Sequence, residues 1–481
     1  MTENELIEII EGLKRKKSES NFIEVKSAEK GCPKIFDTLS SFSNQQNGGI
    51  IIFGLKESDD FNICGVYDAE NLQKRIMEQS LQMEPPIRPL ITVVNIDNKN
   101  VLSAEIQEID NFSKPCFYKG AGRLKGSYVR VGDSDRVMTE YEVYSYEAFK
   151  RKLEDELRVA QRACWEDIYT NNLKNFIVKL KAQKHNFDSL SDEKILRLQG
   201  FITYNREPTL AGIMLFSDYP QAFFPQLCIT AVSVPGTQMS VVGNVGERFI
   251  DNKRIDGNIT QMLDEAIMFV RRNMKTKTVI NQNTGKRTDL TEYPVVAIRE
   301  LIINALVHRD YSIYTDSTPI TIKMFSDRIE IENPGGLYGR MTLDQLGKFS
   351  ADTRNPFIAN ALEVLGETEN RYSGIPTVLN SMAEYGLVPP QFASERGVFR
   401  VTLFNSSAKI NSGNSEIENE ILAFCSTPKS RSEIEAYFKG RMTIMYVMSR
   451  YIFPLTDKGL LKRTIPDKPK SKKQKYVSTD F

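Results

Sequence analysis

The stretch Arg299–Tyr311, RELIINALVHRDY, constrains this chain most, because its pattern asks one helix to be both core and polar wall. Pro294 suits a helix start, since its missing N–H and fixed φ cost little in the first turn. On such a helix Ile298, Leu301, Ile302, Ala305 and Leu306 fall on one side and bury. Glu300, Asn304 and His308 follow one another at intervals of four and share another face. That face can offer a general base, an oxygen ligand for Mg²⁺ and a third polar contact. Standing alone, the helix could equally turn its polar face to solvent. It does not stand alone. Strands are predicted over 320–325 and 327–331, and then comes the sharp turn Asn333-Pro334-Gly335-Gly336. Glycine turns let backbone amides approach phosphate. Residues 338–373 read as polar and loop-rich, with Arg354-Asn355-Pro356 and Ser373-Gly374-Ile375, and 398–404 closes the segment as a strand.

Composition narrows the chemistry. The chain has 481 residues, 63 basic against 62 acidic, two histidines and six cysteines. At roughly 150 residues per domain, this predicts about three domains. Two histidines exclude a three-His zinc site and an H-E-x-x-H protease helix. His185 lies in a polar stretch, which leaves His308 as the candidate for catalysis. The cysteines are scattered, so a zinc finger is not expected and a reduced, cytoplasmic protein is. No window reaches the ~20 apolar residues of a membrane span, and the N-terminus reads as a charged amphipathic helix.

The first 138 residues read as an α+β domain. Thr2 and Glu5 form a possible capping box ahead of Leu6, Ile9, Ile10 and Leu13. Alternation over 21–26 sets Phe22, Glu24 and Lys26 on one face of a strand. Pro33 is read as a helix start, Asn47-Gly48-Gly49 as a turn and Ile50–Gly54 as a buried strand. Strands over 90–97 and 101–109 form a hairpin, and 128–132 is a last strand. Glu19, Glu24 and Glu57 are carboxylates that could gather on a divalent metal, with Lys26 stabilising charge on a phosphate. An ordinary solvated surface strand is the alternative.

A helical connector is expected over 139–205, beginning with a helix at 147–162. The apolar run at 209–234 suggests sheet, and 255–272 an amphipathic helix. After a polar linker at 405–415, helices near 417–424, 431–438 and 442–451 precede a basic tail, the order of a winged helix-turn-helix. Arg441 and Arg450 flank the candidate recognition helix. Lys462, Arg463, Lys472 and Lys473 belong to the basic tail, which could lie along phosphates. A solvated tail with no specific partner is the alternative.

Two resemblances organise these pieces. ESNFIEVKS (19–27), LSSFSNQQNGGIIIFGLKE (39–57), CGV (64–66), KP (114–115) and YVRVG (128–132) resemble the Schlafen-type AlbA-like domain. That likeness implies nucleic-acid binding, and by analogy with animal Schlafens a nuclease triad at Glu19, Glu24 and Glu57 with Lys26. AGIMLF (211–216), the helix 299–311, DRIEIENPGGL (327–337), RNP (354–356) and GLVPPQF (386–392) resemble a divergent GHKL-type ATP-binding domain. This fusion is often labelled a RecG-like, helicase-related transcriptional regulator. The resemblance implies Glu300 as base, Asn304 as Mg²⁺ ligand and Asn333 as acceptor for the adenine amino group. It places Gly335, Gly336, His308, Arg354, Ser373 and Gly374 around the nucleotide. No G-x-x-x-x-G-K-[ST] loop is present, so no helicase motor is read. His308-Arg309-Asp310 mimics a kinase catalytic loop, but Thr315 stands where that loop needs Asn.

The sequence therefore predicts an α+β multidomain protein: an AlbA-like domain (1–138), a helical connector (139–205), a GHKL-like α/β sandwich (206–404), a linker (405–415) and a winged helix with basic tail (416–481). The function expected is ATP–Mg²⁺ control of DNA or RNA engagement, in a homodimer without membrane contact. The alternatives are an ATP-gated, metal-dependent nuclease, perhaps for antiphage defence, and a transcription factor whose ATP site is vestigial.

Overall fold

A computed structural model describes residues 1–241, 246–280, 287–349, 352–368, 374–395, 397–405, 416–438, 444–457, 459–465 and 474–479. The chain divides into two compact units, Met1–Ser406 and Ser407–Phe481. Among the described residues, no helix is long and apolar enough to cross a membrane.

The N-terminal part of the first unit is built on a four-stranded sheet. Strand Ile23–Lys26 runs parallel to Gly49–Phe53, which pairs antiparallel with Lys99–Ile106, and that strand with Leu90–Ile96. The capping box forms: Thr2 Oγ1 accepts from Glu5 N, and Glu5 Oε2 accepts from Thr2 N at 2.7 Å. Leu6, Ile10 and Leu13 from that helix then bury with Val25, Ile52, Phe61, Val94 and Val101 on one side of the sheet. The other side packs Leu39, Phe42, Ile51, Phe53, Leu72, Ile76 and Leu102. Pro33 does not start a helix; the helix is Phe36–Asn44, capped by no side chain. The hairpin forms with a tighter turn than expected, at Asp97 and Asn98, both with positive φ.

The helix Phe36–Asn44 buries hydroxyls as well as hydrocarbon, and each such group needs a partner. Ser40 Oγ donates to Cys116 O at 2.6 Å, and Tyr128 N donates back to Ser40 Oγ at 2.8 Å. Asn44 Nδ2 donates to Cys116 O and Tyr128 O, while its oxygen accepts from Cys116 N. These bonds fix the strand Tyr128–Val131 against the helix and so aim Arg130.

The rest of the first unit is an α/β sandwich. Its six-stranded sheet runs, in spatial order, Asp251–Ile255, Ile229–Ser233, Ile320–Met324, Arg328–Pro334, Val398–Phe404 and Gln391–Glu395. Strands Ile229–Ser233 and Ile320–Met324 are parallel; the other neighbours are antiparallel. Alternation sends Ile322, Ile331 and Val401 into the core. Lys323, Glu332 and Arg400 stay on the opposite face, where Glu332 pairs with both cations. Helices Ile259–Asn273 and Val295–His308 pack on the apolar face.

Three further elements differ from expectation. Leu210–Phe216 is a helix, not strand, and all seven residues are buried. A short apolar run carries no period to tell the two apart; Thr209 settles the matter by capping, its Oγ1 accepting from Gly212 N at 3.2 Å. The connector helix is Glu140–Arg151, not 147–162, because Thr139 and Glu142 make a capping box seven residues earlier than the predicted start. The segment 338–373 contains the helix Pro356–Leu365. Its N-terminal amides at Phe357 and Ile358 donate to the buried carboxylate of Glu156, at 2.9 Å each.

The second unit packs helices Glu416–Phe424 and Arg431–Phe438, and a helical stretch running from Ile444 to Asp457, against a small antiparallel sheet. The sheet order is Lys429–Ser430, Lys475–Ser478, Leu461–Arg463. Ile421, Ile434, Phe438, Val447, Leu455 and Tyr476 form its core.

Gly48 offers a test of the N-terminal architecture. It has φ +68°, and a Cβ there would run into the Ile106 carbonyl oxygen across the sheet. Gly48→Ala is expected to destabilise the domain by on the order of 2–4 kcal/mol. A thermal melt unchanged from wild type would contradict the close approach.

Candidate functional site

The helix Val295–His308, the strand Arg328–Pro334 and the helix Gly374–Glu384 enclose a cavity of about 240 Å³. Of the predicted nucleotide-site residues, Glu300, Asn304, His308, Asn333, Gly335, Gly336 and Gly374 line it together. Tyr338, Met341, Phe349, Asp352 and Thr353 complete one wall. Ser373 lies outside the described residues.

The polar end is organised by the helix. Asn304 Nδ2 donates to Glu300 Oε1 at 3.0 Å, which commits the amide nitrogen and leaves the carbonyl oxygen to face a ligand. Packed protein atoms and then the Arg354 guanidinium push the His308 pKa down to about 4, so the imidazole is neutral at pH 7. Gly374–Glu384 presents its first turn, Gly374 to Pro376, to the same space. A helix N-terminus favours anions. A side chain on Gly374 would strike Glu300, so glycine there lets the helix end approach the carboxylate. Mg²⁺ prefers hard oxygens and keeps waters and phosphate oxygens in its shell. One amide oxygen and one carboxylate fit such an ion.

At the other end the strand residues that line the cavity, Ile331, Asn333, Phe399 and Val401, are apolar except for Asn333. Ile331 and Asn333 share a face of their strand, opposite Val401 and Phe399 respectively. Asn333 is 4% exposed, and among the described residues its buried Oδ1 has no hydrogen-bond partner. A buried, unpaired carbonyl costs roughly 1–3 kcal/mol unless a ligand pairs it.

Arg354 does not line the cavity. Its guanidinium lies behind the glycine turn, where it forms a brace. Nη1 is 3.2 Å from Asp310 Oδ2, Nη2 donates to Gly336 O at 3.1 Å, and the group sits 4.9 Å over the Tyr338 ring. Asp310 Oδ2 also accepts from the Tyr141 hydroxyl, at 2.8 Å, 169 positions earlier in the chain. Gly335 has φ +106°, and a Cβ there would occupy the place of Arg354 Nη1. Asp310, Tyr141 and Tyr338 were not among the predicted residues. The R-D-Y that ends the helix motif was the one local signal for Asp310.

In the N-terminal domain Glu19 and Glu24 do come together, with Arg130 between them. Arg130 Nη1 is 2.9 Å from Glu24 Oε2 and 3.0 Å from Asp135 Oδ1, and Nη2 is 3.6 Å from Glu19 Oε2. Lys26 pairs with Glu24 from the other side. Burial first, then Glu24 and Glu57, raise the Glu19 pKa to about 7, against the pull of the Val25 N–H. Glu57 is exposed on a short 3₁₀ turn. Among the described residues no group of three or more His, Cys, Asp and Glu side chains is placed to hold a metal ion.

Of the predicted nucleic-acid residues, Lys462 is exposed and Arg463 half-buried on one strand of the second unit. Arg450 lies in the helical turn Met448–Ile452. Arg441, Lys472 and Lys473 lie outside the described residues.

Three segments of the chain match known protein families. Residues 19–139 match the family "Schlafen, AlbA_2". Residues 317–403 match "Putative ATP-dependent DNA helicase recG C-terminal", an HATPase-type domain, and residues 426–479 match "Filamentation induced by cAMP protein Fic-like, C-terminal domain". The chain thus carries a Schlafen-type AlbA_2 domain ahead of a RecG-C-terminal ATPase-type domain. Among solved structures, the DIP2311 protein of Corynebacterium diphtheriae is 19% identical with TM-score 0.40, over 83% of this chain and 80% of that one. The N-terminal domain of a RecG-related protein from Nitrosomonas europaea is 23% identical with TM-score 0.23, over 29% of this chain and 97% of that one. No curated protein matches the chain.

Two outcomes are expected. Arg354→Ala leaves Asp310 buried without its cation, which costs about 3–5 kcal/mol; a melt within experimental error of wild type would show that the brace carries no weight. Glu19 binds its proton more tightly folded than unfolded, because its pKa rises from 4.5 to about 7. Its contribution to stability therefore falls as pH climbs through that window. Relative to wild type, Glu19→Gln should gain melting temperature steadily from pH 4.5 to 7, and parallel profiles would refute the shift.

Proposed function

We propose that this protein is an ATP-responsive nucleic-acid-binding regulator. ATP with Mg²⁺ occupies the cavity and sets the loop that follows the glycine turn, and through it the engagement of DNA or RNA. The observation that carries this reading is the juxtaposition in one cavity of an unpaired buried acceptor, Asn333, with the Glu300–Asn304 pair and a helix N-terminus. Asn333 would accept from the adenine amino group. The Gly335–Gly336 turn and the first turn of Gly374–Glu384 would lie along the phosphates. Asn304 Oδ1 would hold the ion, which would screen phosphate charge, and Glu300 would polarise a water for slow hydrolysis.

The same loop reaches the N-terminal domain. Asn111 Nδ2 donates to Gly339 O at 3.3 Å. Phe112, Phe149 and Tyr338 form a ladder of edge-to-face rings, with centroids 5.8 and 5.4 Å apart. Tyr338 lines the cavity, so a ligand that shifts it also shifts contacts to the AlbA_2 domain. The helices and small sheet of the second unit support a winged-helix reading, with Lys462 on a strand that would serve as the wing. Nucleotide-dependent dimerisation belongs to the same reading.

Calorimetry with ATP and Mg²⁺ tests it. Wild type should bind, and Asn304→Ala should weaken binding at least tenfold, about 1.4 kcal/mol. Anisotropy with labelled DNA and RNA should shift on ATP addition, and Phe149→Ala should abolish the shift while retaining ATP. No ATP binding by wild type, or unchanged binding by Asn304→Ala, would overturn the reading.

A further inference from the structure

We infer that Asn333 makes this a site for guanine as well as adenine nucleotides, an inference that rests on the nucleotide reading above and names its ligand class. A carboxylate at this position could only accept hydrogen bonds, whereas a carboxamide accepts through Oδ1 and donates through Nδ2. Adenine offers an amino donor at N6 beside an acceptor at N1. Guanine offers the reverse, an acceptor at O6 beside an N–H donor at N1. With Oδ1 toward N6 and Nδ2 toward N1, the amide pairs adenine. After a half-turn about Cβ–Cγ, Nδ2 meets O6 and Oδ1 meets the N1 proton.

The half-turn carries little penalty here because the protein does not hold the amide. Among the described residues Oδ1 has no hydrogen-bond partner. Asn304 shows the contrast in the same cavity, its amide orientation fixed by the bond to Glu300. Around Asn333 the wall is hydrocarbon, with Ile331, Phe399 and Val401 on the same sheet face. These side chains grip the flat purine ring by contact, which does not distinguish one purine from the other. Among the described strand residues that line the cavity, Asn333 alone carries a polar side chain, and its amide reads both purine edges. A site built to read a single hydrogen-bond pattern rejects the wrong one strongly, because a buried group is left unpaired. This amide can always pair.

The test measures binding of non-hydrolysable ATP and GTP analogues to the full chain by calorimetry in Mg²⁺. Wild type should bind the two within about tenfold of each other. Asn333→Leu removes both the acceptor and the donor, so it should weaken both analogues, each at least tenfold. ATP-analogue binding with the GTP analogue weaker by a hundredfold or more would overturn the inference and leave the nucleotide reading standing. Loss of affinity for one analogue alone, or for neither, in Asn333→Leu would do the same. Binding of neither analogue by wild type would overturn both. The wild-type ratio decides the matter even where the variant fails to fold.

Discussion

The architecture around the cavity depends on one buried cation. Arg354 is almost fully enclosed, and a guanidinium out of water is tolerable only with charge and hydrogen bonds close by. Its partners come from four places: Asp310 after the cavity helix, the Gly336 carbonyl in the turn, the Tyr338 ring in the loop, and, through Asp310, Tyr141 of the connector helix. Satisfying that charge brings these segments to one point. It also forces glycine at 335, where the chain must pass with positive φ and no side chain. The backbone thus runs bare past the cavity as a consequence of packing against the arginine.

The N-terminal domain repeats the device with Arg130. Two glutamates and an aspartate lie about one guanidinium, and Thr38 and Ser41 bond Asp135 from the helix beneath, at 2.7 and 2.6 Å. Without a cation, carboxylates this close would suppress each other's ionisation. Even with it, burial leaves Glu19 half-ionised near neutrality. The polar cluster is a structural hub whose charge changes with pH, and an anionic nucleic-acid backbone approaching Lys26 would meet a group able to take up a proton.

Periodicity made the central helix readable, since Glu300, Asn304 and His308 recur with the helical repeat and the apolar stripe between them is continuous. The strand before the glycine turn was legible for a similar reason, alternating Ile329 and Ile331 with Glu330 and Glu332. Leu210–Phe216 was not, because seven apolar residues without a polar gap satisfy strand and buried helix alike. Neither the Arg354 brace nor the Arg130 hub could be read from spacing. Asp310 and Tyr141 are 169 positions apart, and no local rule relates them. Arg354 was expected around the nucleotide, and its place behind the turn was not legible, because sequence shows which residues gather and not which side of a backbone they occupy.

The loop after the glycine turn has little core of its own. Met341 is buried, whereas Leu343 and Phe349 are 40% and 67% exposed. Its position is therefore set mainly by what lies on either side: the cavity on one, Asn111 and the Phe112–Phe149 pair on the other. Such contacts are few and individually weak, edge-to-face rings contributing roughly 0.5–1.5 kcal/mol each. Any coupling through them would belong in the ~1–3 kcal/mol range, a bias of tens of fold rather than a switch. Linkage makes that bias reciprocal. If nucleotide in the cavity tightens the AlbA_2 domain on its nucleic acid, the nucleic acid must tighten the nucleotide by the same factor. On the proposed reading the loop would join two binding equilibria, with Tyr338 as the residue common to the cavity wall, the Arg354 brace and the aromatic ladder.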